Sequence, residues 1–69
     1  MSKWILIHAD NNSIELPDVF ESYEEAYRQM KLEYDKIVEE GDDADIDVNY
    51  ASIQTDYENF DWRIFEVKF

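Results

Sequence analysis

The chain has 69 residues, of which 18 are acidic and 6 basic, so its formal net charge is −12. A chain this short builds one hydrophobic core, and we therefore expect a single domain over residues 1–69. Apolar residues make up 45% of the sequence and aromatics 16%, which is more than a disordered chain contains. There is no cysteine, which excludes a disulfide framework, a thiolate metal site and a cysteine nucleophile.

The N-terminal segment carries no targeting signal. Its longest apolar run, residues 4–7, is much shorter than the apolar part of a signal peptide or a membrane helix. A basic targeting arm is also missing, so we expect a cytoplasmic protein that does not bind membranes. Anionic lipid and nucleic-acid phosphates repel an acidic surface, and we therefore expect no direct binding of nucleic acid.

The first third of the sequence predicts a β-hairpin. Residues 3–8 contain β-branched and aromatic residues, are followed by a turn signal, and predict a first strand. Residues 10–13, Asp-Asn-Asn-Ser, are typical of a turn because Asn and Asp bond their own main chain. Residues 13–16 alternate and predict a short second strand, which Pro17 closes.

A helix is predicted over residues 22–40. Ser22 and Glu25 have the spacing of a capping box, in which each side chain satisfies the other residue's free backbone N–H. Gly41 follows as the predicted stop. Apolar residues recur at helical spacing and define one face of the helix: Tyr23, Ala26, Tyr27, Met30, Tyr34, Ile37 and Val38.

The last third predicts an acidic loop and two further strands. The loop covers residues 42–47, strand three 48–55, a turn 56–61, and strand four 62–69. Strands one and four are apolar on both faces, which is typical of central strands. The order is ββαββ, and it predicts an α+β fold: a four-stranded, mostly antiparallel sheet with one helix on one face, and with strands two and three at the edges.

One helix leaves the other face of such a sheet uncovered. We assign Trp4, Leu6, Trp62 and Ile64 to this open sheet face, where they would form an interface. Periodicity alone does not decide which alternate set faces the helix, and either choice leaves aromatic side chains uncovered. The alternative is that long polar side chains from the edge strands, together with the termini, cover them.

No pattern in the sequence indicates an enzyme, a cofactor or a metal. His8, the one histidine, ends a strand beside a turn, where we expect it to be solvated rather than catalytic. Residues 43–49 place oxygen side chains at alternate positions, as a calcium loop does. However, the positions that should hold Gly and Glu hold Val48 and Gln54, and the segment runs into a strand.

The acidic residues are the strongest candidates for a functional site. Six lie within nine residues, namely Glu39, Glu40, Asp42, Asp43, Asp45 and Asp47. A second group, Asp56, Glu58 and Asp61, lies in the last predicted turn. The first group adjoins a helix C-terminus, where the helix dipole favours cations instead, and such violations are typical of functional positions. The alternative is that the charge serves solubility only.

The helix start, Ser22-Tyr-Glu-Glu-Ala-Tyr, and the ending Asp61-Trp-Arg-Ile-Phe-Glu-Val67 resemble those of small acidic accessory proteins of phages and mobile elements. Several proteins of that class inhibit host defence, among them anti-CRISPR and DNA-mimic proteins. The resemblance implies an inhibitory binding role. Together with the density of carboxylates, it predicts a non-enzymatic inhibitor that occupies the basic surface of a nucleic-acid-binding protein or defence nuclease. The alternative function is an assembly protein that forms homodimers through the open sheet face.

Overall fold

The computed structural model describes residues 1–10 and 13–68. It is an α+β fold in which one helix lies against one face of a five-stranded antiparallel sheet of order β2-β1-β5-β4-β3. The elements are β1 (Ser2–Asp10), β2 (Asp18–Phe20), α1 (Tyr23–Ile37), β3 (Asp43–Ile46), β4 (Tyr50–Gln54) and β5 (Asn59–Lys68). The predicted class is confirmed, but the sheet has five strands where the sequence predicted four.

The helix begins where its local sequence places it and ends early. Ser22 is the N-cap, and both hydrogen bonds of the predicted capping box with Glu25 are present. The helix ends at Ile37 rather than at residue 40, because Val38 is already extended, although its N–H still donates to the carbonyl of Tyr34. Gly41 is therefore not the helix cap. It lies in the following turn with a φ of 95°, a conformation that glycine adopts without strain.

The two central strands are those that the sequence placed in the middle. β1 pairs with β5 along its whole length, from Ser2 opposite Lys68 to Asp10 opposite Phe60. β5 begins three residues earlier than the predicted strand four, because the turn before it is tighter and closes at Glu58, whose carbonyl accepts from the N–H of Thr55. Phe69, the predicted last residue of this strand, lies outside the described residues, as do Asn11 and Asn12 of the predicted turn.

Both edge strands differ from the predictions. β2 lies after Pro17 at Asp18–Phe20, whereas the predicted segment 13–16 makes only an isolated bridge between Ala9 and Ile14. β3 lies within the predicted acidic loop. Its Ala44 and Ile46 pack against the core, whereas Asp43 and Asp45 face solvent. This alternation suits an edge strand. Because β3 flanks it, β4 is not the edge strand that was expected.

The assignment of the two sheet faces is wrong. Leu6, Trp62 and Ile64 lie beneath the helix, and Trp62 is 0% exposed. Trp4 is half-buried on the same side, with its ring 5.4 Å from that of Tyr23. The physical reason is volume, because the large aromatic side chains fill the layer between the sheet and the helix. These four residues form the core with Ala26, Met30, Ala51 and Ile53, and none is available on the opposite side.

The opposite side of the sheet, called the open face below, carries the other alternate set from β1 and β5. Ile5, Ile7 and Val67 are half-buried there, whereas Val19 and Phe65 are 61% and 49% exposed. The open face is therefore partly apolar, as expected, but through smaller side chains than the sequence suggested. Within the described residues the single helix lies on the core side and, at 15 residues, is neither long nor apolar enough to cross a membrane.

Candidate functional site

The negative charge is concentrated in one part of the chain. Residues 37–62 contain nine acidic residues and neither lysine nor arginine. The rest of the chain contains the other nine acidic residues and all six basic ones. Three quarters of the net charge of −12 therefore belongs to the segment that forms β3, β4, the turns around them and the start of β5.

Two acidic stretches that are distant in sequence meet at one end of the fold. The chain leaving the helix and the turn between β4 and β5 enclose a groove of about 380 Å³, which we call the acidic groove. Its floor is apolar and its rim acidic, and its lining contains no lysine or arginine. It is lined by Ile37, Glu39, Asp42, Thr55, Asp56, Tyr57, Glu58 and Phe60.

Local hydrogen bonds order both rims of the acidic groove. On one rim the Thr55 hydroxyl accepts from the backbone N–H groups of Tyr57 and Glu58 at 3.1 and 2.9 Å. On the other, a carboxylate oxygen of Asp42 accepts from the Glu39 N–H at 2.9 Å. Asp42 is thus partly a structural residue. In the described part of the chain, no hydrogen bond or ion pair engages the carboxylate of Glu58, which points to a rim whose charge is open to solvent.

The remaining acidic candidates lie elsewhere. Asp43 and Asp45 are on the open face, where they line a hollow of about 320 Å³ together with Asp61 of β5. The Tyr50 hydroxyl donates to Asp45 at 3.1 Å, and this bond, with the carboxylate's charge, raises the pKa of Tyr50. Glu40 is exposed in the turn before Gly41 and does not line the acidic groove.

Asp47 lies at the opposite end of the molecule, beside the start of the helix. Its carboxylate accepts from the N–H of Val48 at 2.7 Å, and the Val48 carbonyl in turn accepts from the Tyr23 hydroxyl. Burial first, and then Tyr27, Glu24 and Asp47, raise the pKa of Tyr23. The predicted acidic site of residues 39–47 is therefore divided among the acidic groove, the open face and the helix start, with Glu40 exposed outside all three.

The expected clash with the helix dipole is weaker than predicted. Glu39 and Glu40 lie beyond the last helical residue, and the last turn of the helix contains Lys36, which suits its negative end. A high density of charge, rather than an unfavourable position relative to the helix dipole, distinguishes this segment.

The calcium-like spacing does not bring its carboxylates together. Asp43 and Asp45 project from the open face while Asp47 turns toward the helix start, so the three carboxylates do not converge. Among the residues that the structure describes, there is no group of three or more His, Asp or Glu side chains that could hold a metal ion.

His8 is placed differently from the solvated strand end that was expected. Because β1 continues to Asp10, His8 faces the helix, where its ring stacks on Trp62 with centroids 4.8 Å apart and planes 9° apart. Its Nδ1 lies 3.6 Å from Glu33 Oε1, and the Trp62 indole N–H donates to the same oxygen at 3.4 Å. Gln29 donates to the other Glu33 oxygen at 2.9 Å. Nothing in the sequence predicts this half-buried polar cluster, although Glu33 adjoins Tyr34 on the predicted apolar face.

No family model, curated protein or solved structure matches the chain. The role of the acidic groove is therefore inferred from its own geometry, charge and exposure. Those properties describe a negatively charged cleft at the protein surface.

Proposed function

We propose that the protein is a non-enzymatic binding module whose acidic groove occupies a basic surface of a partner protein. The partner class that fits best is a nucleic-acid-binding protein, such as a defence nuclease, and the protein acts by excluding the nucleic acid. One observation carries the proposal: Glu39 and Asp42 meet residues 55–58 around one cleft that lysine and arginine do not line. We propose a cytoplasmic location, because partners of this class are found in the cytoplasm.

Charge and shape each contribute to the proposed contact. Duplex DNA carries one charge per about 1.7 Å of its axis, and a basic groove that binds it attracts any surface of similar charge density. Clustered carboxylates accelerate association with such a groove. Tyr57, 88% exposed beside an apolar floor of Ile37 and Phe60, supplies the kind of aromatic contact that stabilises protein interfaces at short range.

The placement of the remaining polar groups supports binding rather than catalysis. The one histidine stacks on Trp62 beneath the helix, behind the ring of Phe60 that lines the acidic groove, and its Nε2 is enclosed. General acid–base catalysis needs such a group within reach of a substrate.

The proposal is tested by neutralising the groove in a matched pair of variants. The groove variant is Asp56→Asn with Glu58→Gln, and the control is Asp18→Asn with Glu66→Gln, which removes the same two charges from exposed positions on β2 and β5. Each immobilised protein is used to capture partners from a host lysate at low and high salt, and captured proteins are then challenged with duplex DNA. We expect the groove variant to lose capture by about tenfold, and DNA to displace the wild-type protein.

Two outcomes would contradict the proposal. Equal loss from the two variants would mean that net charge, not the groove, determines binding. A captured partner that binds DNA and this protein together would mean that no nucleic-acid surface is occupied.

A further inference from the structure

The open face carries an apolar stripe that the proposed function does not use. Ile5 of β1 pairs with Val19 of β2 on one side and with Phe65 of β5 on the other, so these three side chains form a row across the sheet. Ile7 and Val67 flank the row and are half-buried. We call these five residues the apolar stripe. Val19 and Phe65 remain 61% and 49% exposed, although side chains of this size are normally covered on a strand.

We propose that the apolar stripe is a homodimer interface, in which the open faces of two copies pack against each other. The charge of the open face is low compared with that of the acidic groove. Two basic and four acidic side chains lie here, counting the Glu21 that pairs with Lys3, which amounts to two negative charges out of −12: Lys3, Arg63, Glu21, Asp43, Asp45 and Asp61. Two copies therefore meet here with much less repulsion than at the acidic groove, and they gain from burial of the apolar stripe.

The same charge balance argues against a basic partner at this position. Arg63 lies at the middle of the open face with its guanidinium 5.3 Å from the centre of the Tyr50 ring, and Lys3 pairs with Glu21 at the edge. A basic surface would meet these cations, whereas the acidic groove on the other side would attract it. A second copy brings the same apolar stripe and the same mixed charges, as an isologous interface requires.

The area of the open face suits a dimer of modest affinity. The five strands contain 31 residues, which at about 3.3 Å per residue and 4.8 Å between strands give a face of roughly 500 Å². Two such faces bury roughly 1,000 Å² in total, which is at the lower limit for a specific interface. Dissociation constants in the micromolar range are typical of that limit.

The proposed dimer leaves the acidic groove free. Ile37 and Phe60 of the groove lie on the helix side, so two copies joined through their open faces present two grooves pointing outward. The two surfaces are independent, since either contact can fail without the other.

Sedimentation equilibrium of the full chain tests the dimer with two matched variants. Phe65→Lys places a charge in the apolar stripe, and Leu32→Lys makes the same kind of change on the outer surface of the helix, at a residue that is also 49% exposed. Both changes make the net charge less negative, and the weaker repulsion would by itself favour association. Val19→Lys is a second stripe variant on the edge strand, in case Phe65→Lys disturbs the fold.

At about 0.5 mM protein we expect the wild type and Leu32→Lys to form dimers, more strongly in about 1 M than in 0.1 M NaCl because screening reduces the repulsion. Phe65→Lys and Val19→Lys should weaken the dimer by tenfold or more while their amide NMR spectra stay dispersed. A monomeric wild type in 1 M NaCl would overturn the proposal. A dimer that Leu32→Lys disrupts as strongly as Phe65→Lys would also overturn it. The same holds if the wild type is monomeric and the stripe variants lose a captured partner, because the stripe would then bind a different protein.

Discussion

The acidic groove and the apolar stripe are built by different parts of the fold and depend on different physics. The groove is made by a turn and by the chain leaving the helix, where no strand alternation restricts the side chains and charge can accumulate. The stripe is made by paired strands, whose register places every second side chain on the open face. A groove contact gains from charge and weakens in salt, whereas a stripe contact is opposed by charge and strengthens in salt.

This separation explains how a chain of net charge −12 can hold a stable fold and still present an apolar surface. The segment 37–62 carries nine of the twelve net charges, and most of its carboxylates lie in turns or on outward positions of edge strands. The central strands β1 and β5 carry the core on one face and the stripe on the other. Charge and apolar area therefore hardly compete for the same positions.

The largest effect should come from comparing the two faces of β5. Trp62→Ala removes a side chain that is 0% exposed and that contacts the rings of His8, Phe60 and Tyr34. Its loss should cost about 3–5 kcal/mol, comparable to the whole stability of a small domain, and should leave the chain largely unfolded. Phe65→Ala, three residues further on, should lower the free energy of unfolding by less than about 1.5 kcal/mol. Urea unfolding followed by circular dichroism measures both, and equal effects would mean that the core does not lie on the helix side.

A smaller effect should separate the groove from the rest of the surface. Neutralising Asp56 and Glu58 removes two charges from the densest acidic region, so the melting temperature at low salt should rise by about 2–5 °C. The control Asp18→Asn with Glu66→Gln should raise it less, because basic residues are present in that part of the chain. In about 1 M NaCl the difference should disappear, since the Debye length is then about 3 Å. A melting temperature that falls in the groove variant would show that these carboxylates stabilise the fold.

The smallest effect concerns Tyr50 on the acidic side of the open face. Its bond to Asp45 raises the pKa, so the folded chain keeps this proton while the unfolded chain loses it near pH 10. The resulting stability is complete below that pH and is lost as the pH rises through the folded value. Asp45→Asn should return the pKa toward its ordinary value, as ultraviolet titration of phenolate against a Tyr50→Phe reference would show. An unchanged Tyr50 titration would mean that the hydrogen bond to Asp45 does not stabilise the protonated hydroxyl.

Local signals in the sequence were the most reliable guide to the fold. The capping box of Ser22 and Glu25 was correctly predicted because it depends only on neighbouring residues. The central position of strands one and four followed from their apolar residues on both faces, but that same property left the helix-facing set undecided. β3 was missed because its aspartates are typical of a loop, although the alternation of Ala44 and Ile46 carried the strand signal.

The acidic groove was predictable in composition but not in shape. The sequence singled out Glu39, Asp42, Asp56 and Glu58, yet nothing in it shows that two turns at opposite ends of the β3–β4 hairpin segment meet at one cleft. It also grouped Asp47 with them, because proximity along the chain does not reveal that a strand carries it to the far end of the molecule. Three-dimensional pairing, rather than residue type, determines which carboxylates act together.

The central claim is that basic partners meet the acidic groove rather than the negative surface as a whole. The most direct measurement is an amide NMR titration of the labelled wild-type protein with a short arginine-rich peptide at low salt. We expect the largest shifts at Glu39, Asp42 and residues 55–58, with little change at Asp18, Glu24 and Glu66. Shifts spread evenly over all acidic positions, or concentrated at those three controls, would contradict the claim.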